Sequence, residues 1–138
     1  MKIVAFNLLK IHAEKTSQNL IENLKVNTNI DISDIKEVKS DMFNSKESLL
    51  AINFQYIIEY EPKFANLSFT GIVLISLSQK EAKDLLKEWE NNKIPEEFKL
   101  PLFNTILKKS NLRALQLEDE LALPPHIPLP SLKASIKK

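Results

Sequence analysis

The chain has 138 residues, 43% of them hydrophobic and 27% charged, which suits one domain with a buried core and excludes compositional disorder. Lys and Arg number 19 against 18 Asp and Glu, a net charge of +1, and Arg113 is the sole arginine; nucleic acid and anionic membranes are therefore not expected partners. The lack of Cys excludes disulfides, Cys-ligated zinc and thiol nucleophiles, and the single Gly71 excludes the glycine-rich phosphate and nucleophile-elbow motifs.

Residues 1–7 carry no long apolar stretch with a cleavage site, and no run approaches the length of a membrane span. A cytoplasmic location is expected. The two histidines, His12 and His126, stand at opposite ends of the chain without ligand spacing, so no metal, cofactor or catalytic set is expected. Binding is the expected role, not catalysis.

Residues 4–14 alternate loosely and are read as a strand, although Leu8, Leu9 and His12 also suit a helix. Leu24, Val26, Thr28, Ile30 and Ile32 alternate with polar residues as a half-buried strand, with a continuation through Ile35 and Val38 after a kink at Ser33-Asp34. Met42 and Phe43 fall in a turn that offers them little to pack on. Leu50, Ile52, Phe54, Tyr56, Ile58 and Tyr60 share one parity, as do Leu67, Phe69, Gly71, Val73, Ile75 and Leu77, and Pro62 lies between the two runs. That pattern predicts a long antiparallel hairpin. Gly71, in mid-strand, predicts a bulge or the close approach of a neighbouring aromatic ring.

Beyond the hairpin the period changes. Ser78-Gln79-Lys80-Glu81 reads as a capping box, and Ala82, Leu85, Leu86 and Trp89 follow at helical spacing to about Asn92. A second helix is predicted over about 102–121, with Pro101 at its start and Phe103, Ile106, Leu107, Ser110, Ala114, Leu117 and Leu121 as its buried stripe. Leu112 and Leu115 fall off that stripe, which suggests a second buried surface. Glu118, Asp119 and Glu120 read as a solvated face. Residues 123–132 hold four prolines in seven positions, which forbid helix and ladder alike; Ile127, Leu129 and Leu132 predict a strap across the body, followed by a loose basic tail at 133–138.

Four antiparallel strands followed by two helices define an α+β layer architecture in a single domain over 1–132. Two helices cover one sheet face. Ala51, Ile57, Ile72 and Leu74 on the other face are expected to meet a second copy of the chain.

The Tyr60-Glu61-Pro62-Lys63-Phe64-Ala65 turn, the Gly71 strand, the Ile94-Pro95 and Leu100-Pro101 lead-in to the long helix and the Pro-bracketed tail together resemble the SecB family of export chaperones. The likeness is greater to the divergent SecB-like proteins of archaea and of toxin–antitoxin–chaperone systems. It implies a four-stranded antiparallel sheet packed on two helices, a dimer or dimer-of-dimers tetramer, and an ATP-independent holdase for unfolded polypeptides. Bacterial members present acidic surfaces to the SecA motor, whereas this chain nets +1, so the resemblance does not extend to a SecA partnership.

A holdase needs apolar surface indifferent to sequence. Met42, Phe43, Trp89, Leu112 and Leu115, large apolar residues with no obvious core partner, are the candidate client contacts. Two other classes fit the same elements. A small-ligand (acyl) carrier or enzyme would need a convergent polar pocket beside Tyr56 or Tyr60, and a structural adaptor would dock one folded partner through an oligomer surface or the Pro-rich tail.

Overall fold

The computed structural model describes residues 1–16, 23–39 and 46–130. Strands β1 (Lys2–Lys15), β2 (Lys25–Val38), β3 (Glu47–Glu61) and β4 (Ala65–Ser78) form one antiparallel sheet in the order β1-β4-β3-β2, and helices α1 (Gln79–Trp89) and α2 (Glu96–Glu120) follow. The α+β class and element order are those expected from the sequence. β3 and β4 pair without interruption from Glu47↔Ser78 to Tyr60↔Ala65, and the Phe64 N–H donates to the Tyr60 carbonyl across the turn at 2.9 Å. The Glu61–Pro62 peptide is cis, and Lys63 has a φ of 44°.

The weaker alternation of the outer strands has a geometric cause. β1 shifts register at Val4 and at Leu9, so Ile3, Phe6, Leu8, Ile11 and Ala13 all oppose helix-facing residues of β4 despite their uneven spacing. The two bulged residues are thrown outward, Val4 to 41% exposure and Leu9 to 63%. β2 shifts once, between Ile32 and Asp34, which brings Ile35 onto the same face as Ile32, and the predicted continuation is real.

One face of the sheet carries the core. Leu50, Ile52 and Phe54 of β3, with Val73, Ile75 and Leu77 of β4, pack under α1 and the first half of α2. Tyr56, Ile58, Tyr60, Leu67 and Phe69 form a second cluster under Ala114, Leu117 and Leu123. A Cβ on Gly71 would stand 2.5 Å from the Asn7 carbonyl oxygen and 2.7 Å from the Phe54 ring, so the neighbouring aromatic expected there is present. On the opposite face Ala51, Ile57, Ile72 and Leu74 are half-buried, interleaved with Asn53, Ser68 and Thr70.

Ser78 ends β4 and caps α1. Its Oγ accepts the Glu81 N–H at 3.2 Å and contacts Glu81 Oε1 at 3.0 Å, so the reciprocal bond of the capping box uses the hydroxyl. α1 stops at Trp89, three residues short of the expected end, with Asn92 in the left-handed region at φ 57°.

Three expectations need correction. α2 begins at Glu96, not near residue 102, and takes Pro101 into its interior. Phe98 and Leu102, four residues apart, are both buried, and their anchoring rotates the helix so that Phe103, Leu107 and Leu121 are only half-buried. Glu118 is 1% exposed, not solvated. The strap is seated at Leu123 and His126, but Leu129 is 52% exposed.

Candidate functional site

The helix layer leaves part of β2 uncovered. Ile30 and Ile32 point to the helix side, opposite Tyr56 and Phe54, and with Trp89, Ile94, Lys99 and Phe103 they border a groove of about 350 Å³. Each wall has a local origin. The cap at Ser78 fixes the phase of α1, which buries Ala82 and Leu85 and leaves Leu86 and Trp89 at the margin of the core. The early start of α2 turns Phe103 away from the sheet centre toward the same margin. Lys99 Nζ lies 5.6 Å from the Phe103 ring centre, a cation over one aromatic wall.

The strand beside this groove is an edge strand. β2 pairs with β3 alone, so among the described residues its other side has no strand partner and presents free N–H and C=O groups. Its opposite face carries Asn27, Asn29 and Asp31, all exposed, which discourages indiscriminate stacking there. Asp31 and Asn92 complete the lining, so aromatic and polar walls alternate along a free strand edge; such a groove can take an extended chain, by side-chain contact on one side and backbone pairing on the other.

Of the three singled-out residues that the structure describes, Trp89, Leu112 and Leu115, only Trp89 borders the groove. Leu112 is 62% exposed on α2 away from it, and Leu115 is half-buried. Met42 and Phe43 lie outside the described residues. Sequence reasoning missed Ile30, Ile32, Ile94 and Phe103, because their periodicity is that of core residues; Phe103 in particular sat on the predicted buried stripe. A second, larger concavity of about 720 Å³ opens near the β3–β4 turn, bordered by Ile57, Glu59, Glu61, Lys63, Asn66 and Ser68. Thr16, Tyr60 and Ala65 complete its lining, and the surface it presents is mostly apolar, with charged residues at its rim.

Convergent polar groups do gather beside Tyr56 and Tyr60. The Tyr56 hydroxyl donates to Asn111 Oδ1 at 2.7 Å, and His126 Nε2 stands 2.8 Å from the same oxygen. His126 Nδ1 lies 2.7 Å from Glu118 Oε2, a close contact without hydrogen-bond geometry, with both side chains 1% exposed. The His126 N–H donates to Glu118 Oε1 at 3.1 Å, and the Tyr60 hydroxyl donates to the Pro124 carbonyl. Burial first, and the Glu118 carboxylate second, push the Tyr56 hydroxyl up to about 12 and drive that of Tyr60 upward in the same direction.

This set has a carboxylate, an imidazole and two phenols, but the strap itself fills the space where a ligand would sit. Phenols whose pKa is raised also make poor nucleophiles near neutral pH. The network's visible work is to hold the strap. The other histidine, His12, is an exposed strand residue 3.3 Å from Glu14. Among the described residues no group of three His, Cys, Asp or Glu gathers to hold a metal ion, and no helix is long and apolar enough to cross a membrane.

No protein-family model matches the chain, and no curated protein matches it. Among solved structures it is similar to the SecB-like chaperone Rv1957 of Mycobacterium tuberculosis, solved in complex with a ChAD peptide from the Rv1956 HigA1 antitoxin. Identity is 15% and the TM-score 0.49, over 98% of this chain and 92% of that one. At that identity and score the likeness carries no functional inference.

Proposed function

We propose that this chain is an ATP-independent holdase that binds non-native polypeptide in extended form along the β2 groove. The observation that carries the reading is the pairing of a groove walled by Trp89, Ile94 and Phe103, with polar residues between them, and a free strand edge. Side chains of a client reach Ile30, Trp89, Ile94 and Phe103, with buried Ile32 as part of the floor, while its backbone pairs with β2; neither interaction selects a sequence. The resemblance of the hairpin turn, the double Pro lead-in and the tail to SecB-like chaperones points the same way. A segment burying ~300–400 Å² of apolar surface gains roughly 8–10 kcal/mol before association and ordering costs remove much of it. Weak contacts summed over several sites follow, and a symmetric assembly of copies multiplies such sites.

The reading therefore includes a homo-oligomer, with Ala51, Ile57, Ile72 and Leu74 on the outer sheet face and Leu112 and Leu115 on α2 as the surfaces between copies, and a cytoplasmic location. Suppression of aggregation of a chemically denatured test protein, without nucleotide, measures the holdase activity, and light scattering measures assembly size. Suppression by a dimer or larger assembly supports the reading. A stable monomer that leaves aggregation unchanged contradicts it.

A further inference from the structure

The strap shows how this protein holds an extended chain. Leu123, 6% exposed, plugs into the aromatic cluster of Tyr56, Tyr60, Phe64 and Phe69, while Pro124, Pro125, Pro128 and Pro130 ride on the surface. Two of its fixings are to main-chain atoms: Tyr60 donates to the Pro124 carbonyl, and Glu118 accepts the His126 N–H. Any residue, or any but proline in the second case, offers the same groups.

The fixings tied to side-chain identity are the Leu123 plug and the His126 ring, which meets Glu118, Asn111 and Tyr56. Burial strips the His126 ring and the Glu118 carboxyl of water, which offsets much of what their contact gains, and both regain water when the strap lifts. The contact thus fixes the place of the strap while adding little to the strength of its hold.

We propose that the surface beneath the strap, floored by Tyr56 and Tyr60 and flanked by Glu118, is a second polypeptide-binding site that residues 123–130 occupy in cis, and that an extended apolar segment of a client binds there by displacing them. The proposal rests on the holdase reading and deepens it: the strap is an internal stand-in for client, and it lowers the apparent affinity of this site by the fraction of time it is seated.

The test uses the full chain and a labelled peptide copying residues 121–132. The double variant Leu123→Ser, His126→Ser unseats the strap, and the peptide is expected to bind it about tenfold or more tightly than it binds the unaltered chain. No binding to a variant with native circular dichroism overturns the proposal. A second measurement needs no variant: hydrogen exchange at the His126 amide of the unaltered chain is expected to accelerate when reduced, carboxymethylated α-lactalbumin is added. If that unfolded protein changes Trp89 fluorescence without changing exchange at His126, the second site is refuted and the groove stands. If it changes neither, both readings fail.

Discussion

Gly71 has no room for a side chain. An added Cβ would meet the Asn7 carbonyl, which cannot retreat without breaking β1 from β4, and the Phe54 ring, already stacked on Phe6 at 5.4 Å between centres. Gly71→Ala is expected to destabilise the fold by about 1–3 kcal/mol in urea denaturation, the range for overpacking a filled core. The expectation of an aromatic neighbour at this position was legible because a glycine inside an alternating apolar strand has few other uses; which ring approaches was not, since that depends on register. Tyr56 makes a different prediction. Its folded-state value of about 12 lies above the ordinary 10.0, so the folded protein keeps a proton that the unfolded chain loses. Stability from this group is whole below about pH 10 and declines as pH rises from about 10 to about 12. Denaturation midpoints measured across that interval should fall, and less steeply in Tyr56→Phe, where only the like-signed contribution of Tyr60 remains.

At the scale of elements, α2 carries the largest difference between pattern and structure. A proline inside a helix leaves the carbonyl four residues earlier without its N–H partner and crowds it. Local rules therefore start the helix at Pro101, yet burial of Phe98 extends it back to Glu96, where Pro95 accepts the Phe98 and Lys99 amides. Because Pro101 is exposed, Pro101→Ala restores the missing donor without disturbing the core and should stabilise the protein by roughly 1–3 kcal/mol by thermal unfolding. Phe98→Ala, which removes the anchor, should cost about 3 kcal/mol and melt the first turns of α2. The β3–β4 hairpin, with fourteen paired positions and no bulge, was fully legible. β1 was not, because two bulges reset its parity and disguise a strand as a possible helix.

The whole molecule is one sheet with two covers, α1 with the front of α2 over one cluster and the rear of α2 with the strap over the other. The sequence conveyed that arrangement because apolar alternation, the Ser78 cap and the run of prolines are all local signals. It conveyed the candidate site poorly. A groove forms where cover is missing, and the side chains on its margin have the same spacing as those in the core; Trp89 was found only because its bulk at a helix end was suspicious in itself. Glu118 was misread for a related reason, since its partner His126 reaches it through a turn that no periodicity encodes. The central claim is that the β2 groove receives extended non-native polypeptide, and Trp89, the only tryptophan in the chain, stands in its wall. Titration of the protein with reduced, carboxymethylated α-lactalbumin fully substituted with a non-fluorescent tryptophan analogue, followed through Trp89 emission, tests it most directly. The account predicts a saturable blue shift that Phe103→Ser weakens at least severalfold; an emission spectrum unmoved by saturating unfolded protein would contradict it.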